Sequence, residues 1–205
     1  DATKVKGMIL WWASLNGPMA LPGNYTVQLS SNKTTLTKPF TILKNPVSEN
    51  SLADMKAQFD FINDINTKIS EIHKALINAG KVKAQVKALK SSIKDKKKHK
   101  SLLDFADNLT KKITKIETTL YQTKSKSGQD PLNFPIRLNN KLAHLNSLTR
   151  MGTYKPTDQA IAFKNEITKT IDVELSKLYV LFNNDVKQLN QKVKDSQIDL
   201  IQLDK

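Results

Sequence analysis

The chain has 205 residues, 39% hydrophobic and 25% charged, and its 33 basic and 19 acidic residues give a formal net charge of +14. This composition is typical of a globular protein with a sizeable core, and no apolar run approaches the roughly 18 residues of a membrane-spanning helix. The absence of cysteine excludes disulfides, thiolate metal sites and a cysteine nucleophile. Only Arg137 and Arg150 are arginine, so the positive charge is mainly lysine, which attracts polyanions without the bidentate contacts of specific nucleic-acid readers.

The first 47 residues are predicted to form a small β unit, an incomplete immunoglobulin-like sheet. Apolar and polar residues alternate in three segments, which predicts strands over residues 7–12, 24–30 and 34–43. Such a small sheet is marginal in water unless one face is covered. It should therefore pack on the helices, or its partner strands lie outside this chain.

From residue 48 to residue 195, apolar residues recur every three or four positions and predict an elongated antiparallel bundle of about four helices. The fold class is thus α+β, mainly α. The first helix is long, with an apolar stripe from Leu52 to Ile93 that either continues through Gly80 or bends there. Two arrangements fit the helix lengths. Sequential helices alternate in direction, or the first and fourth form a long antiparallel pair with the two shorter helices stacked along it.

The later helices begin at capping or proline positions. Residues 130–135 are expected to open the third helix with proline in its first turn, and Thr157 or Asp158 caps the fourth. The stretch at 173–181 is apolar on several sides and is expected to be the most buried part of the protein. Residues 196–205 have no clear helical face and are predicted to form an extended tail.

The sequence contains no recognisable catalytic or metal-binding constellation. His73, His99 and His144 lie on different segments, without a second ligand at metal-binding spacing, and His73 is expected to be half exposed. Acid pairs such as Asp60 and Asp64 indicate solvated helix faces rather than a glycosidase pair. We therefore expect a non-enzymatic protein with no cofactor, no metal and no catalytic residue.

The strongest electrostatic feature is the lysine-rich segment at residues 81–126. A polyanion or nucleic-acid site here is an alternative function, although lysine runs commonly serve solubility and few aromatic side chains are present for base stacking. Nucleic acid is accordingly not expected as the main partner. The candidate basic patch comprises five lysines near the middle of this segment: Lys94, Lys96, Lys97, Lys98 and Lys100.

Two further groups of residues are binding candidates. Trp11 and Trp12 are neighbours on the predicted first strand and would point to opposite faces. One indole would then pack on the helices, and the other would be available for an interface or for stacking on a sugar. Arg137, Asn139 and Asn140 face partly away from the apolar stripe of the third helix. They can hydrogen-bond the preceding connector or a neighbouring helix, a structural role that we favour over ligand binding.

Two motifs carry a resemblance to a known family. Residues 7–46 read GMILWWASLNGPMALPGNYTVQLSSNKTTLTKPFTILKNP. They resemble the accessory β segment near the C-terminus of large secreted bacterial proteins with sortilin-type, neuraminidase-repeat β-propellers. Residues 130–148 read DPLNFPIRLNNKLAHLNSL and are similar to the phrase that opens a late helix in those proteins. The letters PTDQA from Pro156 resemble the start of their following helix.

The resemblance implies that this chain is the C-terminal part of a protein often described as glycosyl hydrolase-like. Propeller repeats, and any acids that act on sugars, would lie upstream, so no catalytic residue carries over. The implied function is a non-catalytic structural or interaction module of an extracellular or periplasmic protein. A second alternative is part of a glycoside hydrolase whose catalytic residues lie upstream.

The expected partner is the upstream propeller domain of the same parent, or another protein or a glycan. The chain opens at Asp1 without an initiator methionine or an apolar signal segment, as expected of a mature form or of a piece of something longer. No membrane span is expected. Long apolar stripes also pair between chains, so a dimer is an open alternative.

Overall fold

The computed structural model describes residues 1–198, and the predicted tail from residue 199 onward lies outside the described residues. Two strands are followed by a series of helices. This architecture, mainly α with a small N-terminal sheet, confirms the predicted fold class. In chain order the elements are β1 (Gly23–Ser31), β2 (Thr34–Ile42), α1 (Leu52–Ser92), α2 (Lys100–Leu120), α3 (Leu138–Thr149), α4 (Asp158–Val180) and α5 (Val186–Asp195).

The helices form a bundle three rods across, in which α2 and α3 follow each other along one rod. Both run antiparallel to α1, α2 along its C-terminal half and α3 along its N-terminal half. Strict alternation of direction therefore fails between α2 and α3, because the connector between them extends instead of reversing the chain. The pairs that fix these directions are Lys83–Glu117 and Lys90–Asp107 for α2, and Asn66–Asn146 and His73–Asn139 for α3.

The third rod, α4 with α5, runs parallel to α1. Lys164 pairs with Asp64 at 2.8 Å, and further along both helices Asp172 pairs with Lys68 at 2.7 Å. The expected alternative of an antiparallel pair of the first and fourth helices is therefore wrong. Because α2 and α3 both run antiparallel to α1, the chain reverses direction once more before α4, and α4 therefore runs parallel to α1.

Helix α1 is one unbroken rod of 41 residues, about 60 Å long. Ser51 caps its N-terminus in a reciprocal arrangement with Asp54, whose pKa is lowered by hydrogen bonds from the Ser51 side chain and backbone. Gly80 lies within the helix without breaking it. The core is built on the isoleucines and leucines of one α1 face, including Ile65, Ile69 and Ile72, which are fully buried.

Between α4 and α5 the rod continues through a π-helical segment, Leu181–Asp185, with right-handed helical backbone on both sides. Residues 173–181 are not the most buried part of the protein, contrary to expectation. Leu175 and Leu178 are buried, but Val173 and Val180 are more than half exposed. A single rod face meets the other helices, so apolar residues on its remaining sides stay in solvent.

The third helix begins later than the proline motif predicts. Pro131 opens a short 3-10 turn, Asp130–Leu132, and α3 starts only at Leu138. The Asp130 carboxylate accepts backbone hydrogen bonds from Lys126 and Ser127, which lower its pKa. The motif therefore builds the connector between α2 and α3.

The first 47 residues divide into two parts with different surroundings. The strand predicted over residues 7–12 is not formed, and residues 1–17 run as irregular chain along α1 and α3. Strands β1 and β2 form an antiparallel hairpin in which Tyr25 is opposite Phe40. Within residues 1–198 neither strand packs on a helix, so the expected cover by the bundle is absent there.

Candidate interaction site

A row of polar side chains on α1 and α3 binds the backbone of residues 1–17. Asn140 is the central member: its Oδ1 accepts from the Trp11 N–H at 2.7 Å, and its Nδ2 donates to the Trp11 carbonyl at 2.8 Å. Both contacts go to main-chain atoms, as in a β-ladder. The asparagine side chain thus takes the place of a neighbouring strand, which explains why Trp11 needs none.

We call this row of side chains the clamp; it comprises Asn66, His73, Asn139, Asn140, Asn146 and Arg150. A second part of the clamp holds residues 14–17. Asn146 Nδ2 donates to the carbonyls of Ser14 and Asn16 at 3.1 and 3.2 Å, and Asn66 Nδ2 donates to the same Asn16 carbonyl at 2.9 Å. Arg150 also donates to the Gly17 carbonyl. The stem that leads into β1 is therefore fixed to the bundle by its backbone.

His73 and Asn139 form the buried end of the clamp. His73 is fully buried, not half exposed as expected, and its Nδ1 donates to the Thr3 carbonyl at 2.5 Å. Burial lowers the pKa of His73 by penalising the charged imidazolium, against the opposing effect of the bond to Thr3. The neutral ring then has a lone pair on Nε2, to which Asn139 Nδ2 donates at 3.4 Å. This polar pair therefore belongs to the folded core.

The two tryptophans differ sharply in exposure. Their rings meet edge to face with centroids 6.3 Å apart, and Trp12 is 73% exposed while Trp11 is half-buried. Trp12 has φ +49°, a left-handed conformation that is unusual for a bulky side chain. Its carbonyl accepts from His144 Nδ1 at 2.6 Å. The clamp therefore holds Trp12 in a strained turn with its indole in solvent.

The three predicted site residues of the third helix differ in their burial and in their partners. Asn139 and Asn140 are buried. Asn139 contacts His73 on the neighbouring helix α1, one of the two predicted kinds of partner, and also Met8, whereas Asn140 binds Trp11 of the N-terminal segment, and neither side chain bonds the preceding connector within residues 1–198. Arg137 is exposed at the N-terminal boundary of α3. The structure therefore does not bring these three residues together into one site.

Sequence reasoning missed Asn66 and Asn146 and misjudged His73. A signal for them exists: Asn66 and His73 are seven residues apart on α1, and Asn139 and Asn146 are seven apart on α3. Antiparallel helices bring the two pairs into register, with Asn66 opposite Asn146 at 2.9 Å. Equal heptad spacing of polar residues on two apolar faces predicts such a contact.

The hairpin has one apolar and one polar face. Side chains alternate along each strand, so the register places the bulky apolar residues together and the threonines and amides on the opposite face. Tyr25 and Phe40 stack across the strands at 5.8 Å. The mainly apolar face, hereafter the hairpin face, comprises Tyr25, Val27, Leu29, Leu36, Phe40 and Ile42, together with Lys38, which lies opposite Val27. Its members Val27, Leu29, Leu36 and Phe40 are exposed.

Both stems of the hairpin are tied to one end of the bundle. Asn50 Nδ2 on the returning stem donates to Thr153 Oγ1 at 2.6 Å. Gln58 Nε2, on a buried side chain of α1, lies 2.8 to 3.1 Å from the carbonyls of Thr149, Gly152 and Tyr154. The loop between α3 and α4 is thus a fixed part of the bundle end that carries the hairpin.

The predicted basic patch lies in the turn between α1 and α2. Lys94, Lys96, Lys97 and Lys98 are exposed there, and Lys100 begins α2. A cleft of about 800 Å³ beside this turn is lined by five lysines and two aspartates. Some of these charges are already used, because Lys83 pairs with Glu117 and Lys90 with Asp107.

The described residues also bear on three other kinds of feature, namely metal sites, acid pairs and membrane-spanning helices. Among residues 1–198 no group of three or more histidine and acidic side chains is placed to hold a metal ion. Asp60 and Asp64 are each paired with a lysine, at 2.7 and 2.8 Å, on the exposed surface of α1. In the same range, none of the helices has the length and apolar character to cross a bilayer.

Comparison of the chain with protein-family models, with characterised proteins and with solved structures gives no match.

Proposed function

We propose that this chain is a non-catalytic interaction module from the C-terminal part of a secreted sortilin-type β-propeller protein. In this proposal, the helical bundle is a rigid support and the hairpin face docks against a β-sheet of the upstream part of the same parent. Chemistry on sugars would then belong to that upstream part. The carrying observation is the hairpin face itself, which is apolar apart from Lys38 and which no other element among residues 1–198 covers.

An isolated two-stranded sheet with one apolar face is marginal in water and prone to association. Exposed Val27, Leu29, Leu36 and Phe40 on neighbouring positions form the kind of patch that marks an interface. The opposite face carries threonines and amides suited to solvent. A sheet packed over the apolar face alone would complete a two-layer β structure.

The fixed stems support the same proposal. Arg150 and Asn146 hold the chain before β1, and Thr153 holds the chain after β2. Docking therefore needs little reordering of the stems, and a preorganised surface loses less entropy on binding. The clamp thus acts as a mount for the hairpin.

The proposal is tested by expressing the upstream part of the parent separately and measuring its affinity for this chain by calorimetry. The double substitution Leu29→Asp with Leu36→Asp places two charges on the hairpin face and should weaken binding at least about a hundredfold. The matched control, Gln28→Asp with Thr37→Asp, places the same charges on the polar face of the same strands and should change affinity less than about fivefold.

Circular dichroism checks that both double variants retain the helical bundle. Absence of measurable binding by the unmodified chain, or an equal loss in both double variants, contradicts the proposal.

A second candidate function is attachment to a polyanion. The specific observation is the cleft between α1 and α2, where Lys87, Lys96 and Lys100 form no ion pair within the described part of the chain. The test measures the affinity of the chain for heparin or duplex DNA. Affinity should fall steeply with salt and weaken when Lys87, Lys96 and Lys100 are replaced by glutamine. Lack of affinity at moderate ionic strength excludes this function.

A further inference from the structure

A second cleft lies at the bundle end that carries the hairpin. It has a volume of about 690 Å³ and runs between α3, the loop that follows it and the first two turns of α4. This volume is within the range of about 300 to 1,000 Å³ typical of small-molecule sites. Its walls include Leu145, Leu148, Tyr154, Ala160 and Phe163.

The exposed apolar side chains of this region concentrate around the cleft. Met151 and Tyr154 are each more than 65% exposed, and Leu148 and Phe163 more than 40%. They come from two helices and a loop, and they converge on one concavity. Such convergence is the pattern of a binding site and not of scattered surface residues.

The cleft is preformed. Its loop wall is fixed by Gln58, whose amide contacts the Thr149 carbonyl at the end of α3 and the loop carbonyls of Gly152 and Tyr154 from inside the bundle. Gly152 has φ +86°, and a Cβ there would lie 3.0 Å from the Tyr154 ring, so the glycine allows the ring to lie close to the loop. A ligand therefore meets an existing wall and needs no loop rearrangement.

The ionisable side chains at the cleft are basic. Lys141, His144 and Lys155 line it, and among residues 1–198 the lining contains no aspartate or glutamate. The two lysines differ in their surroundings. The negative charge of Asp54 interacts with the positive charge of Lys155. Lys141, in contrast, forms no ion pair within residues 1–198. The unneutralised positive charge therefore lies at the Lys141 end.

The order of residues along α3 separates charge from apolar surface. Lys141, His144, Leu145 and Leu148 follow one another on one helix face, about 10 Å from the first to the last. An elongated molecule lying along this face would meet the Lys141 ammonium and the His144 ring first and apolar groups after them. This arrangement fits an amphiphile with a single anionic head.

We propose that the cleft between α3 and α4 binds a monomeric anionic amphiphile, such as a medium-chain fatty acid. The carboxylate lies at Lys141 beside His144, and the hydrocarbon chain lies against Leu148, Ala160 and Phe163. The site is independent of the hairpin face and of the partner proposed above. It uses only residues of α3, α4 and the loop between them.

The test measures displacement of cis-parinaric acid, a fluorescent fatty acid, by dodecanoate below its micellar concentration. The proposal expects saturable displacement by dodecanoate and at least about tenfold weaker displacement by dodecyltrimethylammonium, which has the opposite head charge. Equal competition by the two head groups, or absence of saturable binding, overturns the proposal.

Substitutions then locate the site. Lys141→Gln should weaken dodecanoate about fivefold, the scale of one partly exposed ion pair. Lys187→Gln removes an exposed lysine of α5 and should leave affinity unchanged. Leu148→Asp, at an exposed position, should abolish binding. Thermal unfolding of each variant establishes that the bundle remains folded.

Two further arms separate this site from other apolar surfaces. The Leu29→Asp, Leu36→Asp double variant should bind dodecanoate as the unmodified chain does, and loss of binding in it would assign the ligand to the hairpin face. Vesicles of anionic phosphatidylglycerol should compete no better than monomeric dodecanoate. Strong vesicle binding that is lost in Lys141→Gln, without monomer binding, overturns the proposal in favour of a lipid surface.

Discussion

The helical bundle and the β-hairpin carry similar apolar residues but treat them in opposite ways. In the bundle, Ile65, Ile69 and Ile72 are removed from water by two neighbouring rods. In the hairpin, Val27, Leu29 and Leu36 are as apolar and remain in solvent. A helix buries one stripe against its neighbours, whereas a two-stranded sheet has no partner layer of its own. The hairpin is therefore the region whose apolar face no other element among residues 1–198 covers.

The largest expected difference between the two regions is in the cost of removing apolar side chains. Ile69→Ala leaves a cavity in the core and should lower the free energy of unfolding by about 2 to 5 kcal/mol. Leu36→Ala on the hairpin face should change it by less than about 0.5 kcal/mol. Urea unfolding followed by circular dichroism measures both.

A large loss in Leu36→Ala that grows with protein concentration would contradict this contrast. Such a result would mean that a second copy of the chain covers the hairpin face in solution, and sedimentation measurements would then detect a dimer.

The clamp on residues 1–17 should behave as part of the bundle. Asn140→Leu keeps the side-chain size but leaves the Trp11 N–H and carbonyl without partners, and should destabilise the protein by about 1 to 3 kcal/mol. The tryptophan emission should shift to longer wavelength as Trp11 is released. Asn108→Leu, at an exposed position of α2, is the matched control. Equal stability of the two variants would show that the clamp contributes little.

The buried histidine predicts a pH dependence of smaller size. Burial lowers the pKa of folded His73 below 6.5, so below pH 6.5 the unfolded chain takes up a proton that the folded chain does not. The contribution of His73 to stability is therefore complete above pH 6.5. It decreases as the pH falls toward the folded pKa, by at most about 1.4 kcal/mol per pH unit.

Unfolding measured between about pH 5 and pH 7 should show this slope. His73→Gln should flatten it, while His99→Gln, in the turn before α2, should retain it. A slope unchanged in His73→Gln would show that another group is responsible.

The helices could be predicted from the sequence because each carries a periodic apolar stripe, and α1 and α4 also carry a capping residue at their start. Thr157, one of the two residues predicted to cap the fourth helix, caps α4, and Ser51 caps α1; both residues act through their own side chain on the first turn. The same local logic failed at Pro131, which opens a 3-10 turn ahead of α3. A proline restricts its own backbone but does not specify how far the following helix lies.

The N-terminal segment illustrates the opposite case. Residues 7–12 have the composition of a strand, but the backbone of Trp11 is bonded by the side chain of Asn140, 129 residues away along the chain, and the Ile9 N–H donates to the Tyr121 hydroxyl. Asn139 and His73 likewise look like surface residues until α1 and α3 are placed side by side. Of the candidate site, sequence reasoning could therefore name Trp11 and Asn140 as separate candidates but not the contact between them.

Composition, periodicity and capping residues by themselves determined that this chain forms long amphipathic helices behind a short β segment, because those features depend on neighbours within a few residues. Tertiary structure alone decided that α4 runs parallel to α1, that the Asn140 side chain takes the place of a strand beside Trp11, and that no other part of residues 1–198 covers the hairpin face. These outcomes depend on which distant surfaces meet, and the packing of the rods sets that.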